Sequence, residues 1–106
     1  MIIEGHHDEA MWTTVVTVDG QVLTPARSQQ VMNHSPDGFA WGYAGSGPAQ
    51  LALAILLAAG LSDDRAVRLH QEFKREFLQG LPRDRFVLDV DVLGWTTTPE
   101  RLEIEP

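Results

Sequence analysis

The sequence predicts an α+β domain, a mainly antiparallel sheet of about four to five strands with two helices packed on one face, in the order β-β-β-β-α-α-β. Three observations lead there. A β-branched run, MWTTVVTV at residues 11–18, precedes Asp19-Gly20, a pair suited to the tight primed turn of a hairpin. An almost wholly apolar segment, PAQLALAILLAA at residues 48–59, ends at Gly60. Near the C-terminus Phe86, Leu88, Val90 and Val92 alternate with Val87, Asp89 and Asp91 in a period of two.

Residues 1–10 carry Glu4, Asp8 and Glu9 with no Lys or Arg and read as a flexible acidic tail. Met11 to Val18 is the first expected strand, and Gln21 to Thr24 is its return after the turn, stopped by Pro25. QQVMN at residues 29–33 is the third, and the turn Ser35-Pro36-Asp37-Gly38 leads to a fourth at Phe39-Ala40-Trp41. Pro48, with its fixed φ, suits the first position of a helix running to Ala59, and that helix is apolar all round apart from Gln50. It should therefore be central, covered on several sides. Ser62 is a good N-cap for a second helix, with Asp63 and Asp64 in its first turn and Gly80 closing it. Ala66, Leu69, Phe73 and Phe77 form one apolar stripe on that helix, leaving Arg65, Arg68, Glu72, Arg75 and Glu76 to solvent. The single domain is expected over residues 11–95, with Trp12, Trp41 and Trp95 near the junction of sheet and helices and residues 96–106 as an acidic C-terminal tail.

Composition excludes several classes of function. The chain of 106 residues has no cysteine, which removes disulfide scaffolds, thiol nucleophiles and thiolate metal sites and agrees with a reducing, cytoplasmic setting. Its longest apolar run, residues 51–59, is well short of the roughly 20 needed to span a bilayer, so no membrane partner is expected. Of the net charge of −7, residues 1–10 contribute −3 and residues 99–106 contribute −2, leaving −2 for the span between them. The eight basic residues form no dense patch, so direct nucleic-acid binding is not expected either.

The segment GFAWGYAGSGPAQLALAIL at residues 38–56, with NHSPDG upstream at residues 33–38, resembles a family of small uncharacterised domains found in bacteria and their phages. NHSPDGF, WGY and GSGPAQLAL occur in that order, and the resemblance covers about residues 14–95. It implies a shared fold and supplies no catalytic residues. The phage members imply a role in host–phage conflict or mobile-element biology.

Each candidate site has a plainer role open to the same residues. The amides of Gly45, Ser46 and Gly47 precede a helix, where they and the helix dipole favour an anion, and His34 and Asp37 are candidates to help hold a phosphate or nucleotide. The segment lacks the lysine of a phosphate-binding loop, so close packing of glycines beneath Trp41 and Tyr43, with Ser46 or Gly47 capping the helix, competes with that role. His34, Ser35 and Asp37 include the residue types of a catalytic triad, yet neighbours in a tight turn rarely reach triad geometry and turn chemistry explains them better. His6 and His7 beside Glu4, Asp8 and Glu9 could hold a metal only adventitiously if the tail is mobile. His70 reads as a packed or half-exposed histidine, and Asp89 with Asp91 as a solvated strand face. Trp41, Tyr43 and Trp95, where exposed, would anchor a protein partner.

The expectation is a small interaction or binding module with no catalytic residues, no cofactor and no metal. Its partner is a host protein or a second copy of the chain. A small-molecule or nucleotide-binding domain using the loop at residues 42–47 is the first alternative, and an acidic inhibitor of a nucleic-acid-binding host enzyme is the second.

Overall fold

The computed structural model describes residues 1–8, 10–11 and 13–102, so Trp12 and the end of the acidic C-terminal segment at residues 103–106 lie outside the described residues. The fold is α+β. Strands β1 (Ile2–Asp8), β2 (Thr13–Val18), β3 (Gln21–Leu23) and β4 (Arg85–Asp89) form one antiparallel sheet in the order β3-β2-β1-β4. The helices are α1 (Ala26–Val31), α2 (Ser46–Ala58), α3 (Asp63–Phe73), α4 (Val92–Thr96) and α5 (Pro99–Leu102).

The β2–β3 hairpin turns as the sequence predicts: Asp19 (φ 50°) and Gly20 (φ 83°) both take the positive φ of a primed turn. Asp19 does a second job. Its carboxylate Oδ1 accepts the Ile2 amide at 2.7 Å and its own amide donates to the Ile2 carbonyl at 2.8 Å, fastening the start of β1.

That strand corrects the expected N-terminal tail. β1 lies inside the sheet, with Glu4 opposite Thr17 of β2 on one side and Val87 of β4 on the other. Ile3 is fully buried, and Gly5 is buried because the Phe86 ring occupies the space its side chain would need. The strand alternates buried Ile3 and Gly5 with exposed Ile2, Glu4 and His6. With glycine at one of the two buried positions, only a single large apolar residue marks the buried face, and the charges of the other face pass for those of a tail.

Two further expectations are corrected. Residues 29–33 do not form a strand: Gln29–Val31 complete α1, whose first turn is closed by the Gln29 amide donating to the Pro25 carbonyl at 2.9 Å. Phe39 and Trp41 are buried in the core on a segment that pairs with no strand among the described residues. The observed order is accordingly β-β-β-α-α-α-β-α-α.

Helix α2 is the centre of the molecule. Gly47 through Leu56 are all buried, as an all-apolar helix requires. It starts at Ser46 with Gly45 as N-cap, so Pro48 sits at the third position rather than the first; an amide there has no intrahelical partner, and its loss costs nothing. Its end is a Schellman closure. Gly60 is left-handed (φ 98°), its amide reaches the Leu57 carbonyl at 3.0 Å, and the Leu61 amide reaches that of Leu56 at 3.2 Å.

Ser62 caps α3 by accepting the Arg65 amide, and the helix runs into a π turn at Lys74–Leu78. The wider turn shifts the inward stripe by one residue. Ala66, Leu69 and Phe73 are buried as the spacing predicts, but Leu78 takes the next inward position and Phe77 is left half-buried.

The expected tail at residues 96–106 is corrected for its described part. Asp91 caps α4 by accepting the Gly94 amide at 3.0 Å, which places Trp95 edge-on to Phe73 at 5.2 Å. Arg101 of α5 then lies over the Trp95 ring at 3.9 Å and pairs with Glu72 and Glu76 at 3.0 and 3.1 Å. A residue read as tail charge is thus a lid on an aromatic cluster.

Candidate functional site

The NHSPDG loop and the start of α2 are held together by Gln50, the one polar residue inside the apolar run. Its Oε1 accepts the amides of His34 at 2.7 Å and Ser35 at 3.0 Å, and its Nε2 donates to the Ser28 hydroxyl at 2.9 Å and the Met32 carbonyl at 3.1 Å. Two acceptor and two donor positions are thereby filled, which is the full capacity of a carboxamide. Gln50 is completely buried. Its solitary polarity in the sequence was the signal that it clips a loop to the helix.

The same clip presents the His34 ring to α3, where its Nε2 lies 2.8 Å from Nε2 of His70. His70 Nδ1 donates to the Val67 carbonyl, so its Nε2 is the acceptor and His34 donates the shared proton. Burial lowers the His70 pKa, and the neighbouring His34 adds to that effect, so the neutral ring is the favoured form. Asp37 is exposed, and the Ser35 carbonyl is taken by Gln29 at 2.9 Å. The partner of His34 is therefore another histidine rather than a serine or carboxylate. Among the described residues, no group of three or more His, Cys, Asp or Glu is placed to hold a metal ion. His6 points to the outer face of the sheet and His7 to the inner, so the two do not converge.

The glycine loop is filled by its own tyrosine. A side chain at Gly45 would meet the Tyr43 ring at 2.5 Å, and one at Gly47 would meet Ala40 at 2.6 Å and the Tyr43 hydroxyl at 3.2 Å. Ser46 is exposed, and among the described residues no side chain caps the helix. Tyr43 is itself covered on one side by the Arg83 guanidinium, 5.2 Å from the ring centre.

Of the three aromatics expected at an interaction surface, only Tyr43 is exposed, at 40%. Trp41 is 2% exposed, stacked on His7 at 5.0 Å and edge-on to Phe86 at 4.8 Å, and Trp95 is buried beneath Arg101. Both tryptophans are core residues, which corrects their assignment to a surface.

The outer face of the sheet has the opposite character. Ladder registers align Val22, Thr17, Glu4 and Val87 in one row across all four strands, with Val15, His6 and Arg85 in the next and Ile2 beside Asp89 in a third. Val22 is 68% and Val87 70% exposed, and Ile2 is exposed too. Elsewhere, a recess of about 130 Å³ between β3, α1 and α2 is small against the roughly 300 Å³ at which ligand pockets begin, whereas a wider hollow of about 360 Å³ beside the β2–β3 hairpin, lined by Met1, Val18, Asp19, Gln21, Val22 and Leu23, reaches that size. In the smaller recess the charged residue is Arg27, which is paired with Asp63 at 2.6 Å.

A model of a family of unknown function, DUF6166, matches residues 4–98. The chain belongs to this family. The match begins within β1 and ends beyond α4, so the DUF6166 domain includes the first strand that the composition had disguised as a tail. No curated protein and no solved structure matches the chain. No helix among the described residues is long and apolar enough to cross a membrane.

Proposed function

We propose that this DUF6166 chain is a small, non-catalytic protein-interaction module of bacterial or phage origin that works in the cytoplasm and binds through the uncovered face of its sheet. The observation that carries this is the row Val22–Thr17–Glu4–Val87, which ends in a strongly exposed valine on each side and lies opposite the helix layer. Valines exposed on a sheet face are apolar area that a partner removes from water, at roughly 25 cal/mol per Å² before the costs of association. The glycine loop supports ligand binding less well, because Tyr43 and Ala40 occupy the room its glycines leave.

The test places a photo-crosslinking residue at Glu4, on the outer face, or at Ser46, at the start of α2, and irradiates cells expressing the whole chain. A discrete protein adduct from Glu4 and none from Ser46 is expected. Adducts from Ser46 alone, or none from either, would overturn the proposal.

A further inference from the structure

We propose that the chain also pairs with a second copy of itself, joined along the open edge of β4 about a two-fold axis through Val87, so that two sheets become one continuous sheet. This goes beyond the reading above, because edge pairing leaves Val22, Thr17 and Glu4 of the outer face uncovered.

The edge is open in a specific register. The Val90 amide donates to the Met1 carbonyl at 3.0 Å, which makes Met1 and Val90 a bonded pair of the β1–β4 ladder. Bonded and non-bonded pairs alternate in an antiparallel ladder, so Ile3 with Leu88 and Gly5 with Phe86 are bonded, while Arg85, Val87 and Asp89 turn their amides and carbonyls to the other side. Among the described residues no strand lies there, because β4 ends the sheet. The opposite edge, β3, is three residues long and offers a much shorter ladder.

The strand sequence RFVLD is complementary to itself when reversed. Set antiparallel with Val87 opposite Val87, the outward backbone groups of the two copies meet as bonded pairs, and Arg85 of each copy faces Asp89 of the other. These side chains share the outer face, so the two ion pairs flank a valine contact. On the inner face Phe86 meets the half-buried Leu88 of the copy. A shift by two residues keeps the hydrogen-bond parity but sets Val87 against a charge or Arg85 against a valine. Shifted toward the C-terminus, it also calls on Asp91, whose carboxylate already caps α4. Charges on an edge strand normally deter pairing. Opposite charges placed symmetrically about an apolar residue deter most strands and admit a copy of themselves.

The test is sedimentation equilibrium on the whole chain, with circular dichroism melts to show that each variant is folded. The wild type is expected to dimerise, more weakly as salt is raised. Arg85→Asp and Asp89→Arg each turn both ion pairs into repulsions and should weaken the dimer by at least about tenfold, while the double charge swap restores it to within about threefold. Val87→Cys reads the register: it introduces the chain's sole thiol on the axis, where a bonded pair holds Cα atoms about 5.5 Å apart, within disulfide reach. Oxidation should give a covalent dimer from Val87→Cys and none from Val22→Cys. A wild type that stays monomeric at about millimolar concentration, a dimer indifferent to charge reversal, or charge reversal without rescue by the swap would overturn the inference. A monomeric chain that still forms an adduct from Glu4 with a different protein would sink self-pairing alone and leave the interaction reading standing. Failure of both would remove the two together.

Discussion

The helix side of this molecule and the outer face of its sheet use their residues in opposite ways. Around Gln50 the residues with the most suggestive chemistry, His34, Ser35, His70 and the glycines, are bonded to one another or packed beneath Tyr43. Across the sheet, chemically plain residues such as Val22, Glu4 and Val87 stand on a surface that no helix among the described residues covers. A histidine or glycine next to a helix start thus says little about function until its partners are known. An ordinary strand residue gains meaning when nothing covers it.

The sharpest way to break that contrast is at Gln50. Gln50→Leu leaves the His34 and Ser35 amides and the Met32 carbonyl without their partner in the interior. A loss of about 3 kcal/mol in chemical denaturation is expected, since each buried orphan costs roughly 1–3 kcal/mol and the loop can recover part by moving toward water. A loss under about 1 kcal/mol would show that the clip is dispensable. Next in size, Gly5→Ala drives a methyl into the Phe86 ring and should cost about 1–3 kcal/mol, confirming β1 as an interior strand. A neutral result would return residues 1–8 to the status of a tail.

The histidine pair gives a pH signature of intermediate size. The His70 pKa is lowered in the fold, chiefly by burial, so the unfolded chain binds more protons than the native one as pH falls below about 6.5, the ordinary histidine value. Stability should therefore be complete above about pH 6.5 and decline below it, by up to about 1.4 kcal/mol per pH unit until the native pKa is passed. Subtracting the pH profile of His70→Gln isolates this component. Identical profiles for the two chains would contradict the burial of a neutral imidazole.

The outer face should respond least. Val22→Thr and Val87→Thr are expected to change monomer stability by no more than about 0.5 kcal/mol, as surface substitutions do. Nucleotides and phosphorylated metabolites should leave the melting temperature unmoved at millimolar concentration. A rise would reopen the glycine loop as an anion site, because a ligand selective for the folded state must stabilise it.

What could be read from the sequence follows the same division. The Asp19-Gly20 hairpin, the apolar α2, the Ser62 cap of α3 and the alternation of β4 each carry a local period or a turn signal and are present in the fold, except that β4 stops at Asp89 and Asp91 caps α4 instead of carrying the alternation on to Val92. β1 was hidden because Gly5 replaces an apolar residue so that Phe86 can lie across the strand. Residues 29–33 hold a valine and a methionine that suit a strand, yet the turn closed by Pro25 decides for a helix. The His34–His70 pair and the cover of Arg101 over Trp95 depend on tertiary placement, which no local period records. The register that leaves Arg85, Val87 and Asp89 facing an open edge needed β1 to be found first.

Amide hydrogen exchange compared between dilute and concentrated samples of the whole chain addresses both sides at once. The account predicts that the Arg85, Val87 and Asp89 amides slow as concentration rises while those of Ser46 and Gly47 keep their rates. Slowing at Ser46 and Gly47 with β4 unchanged would contradict it, as would no concentration dependence at either place.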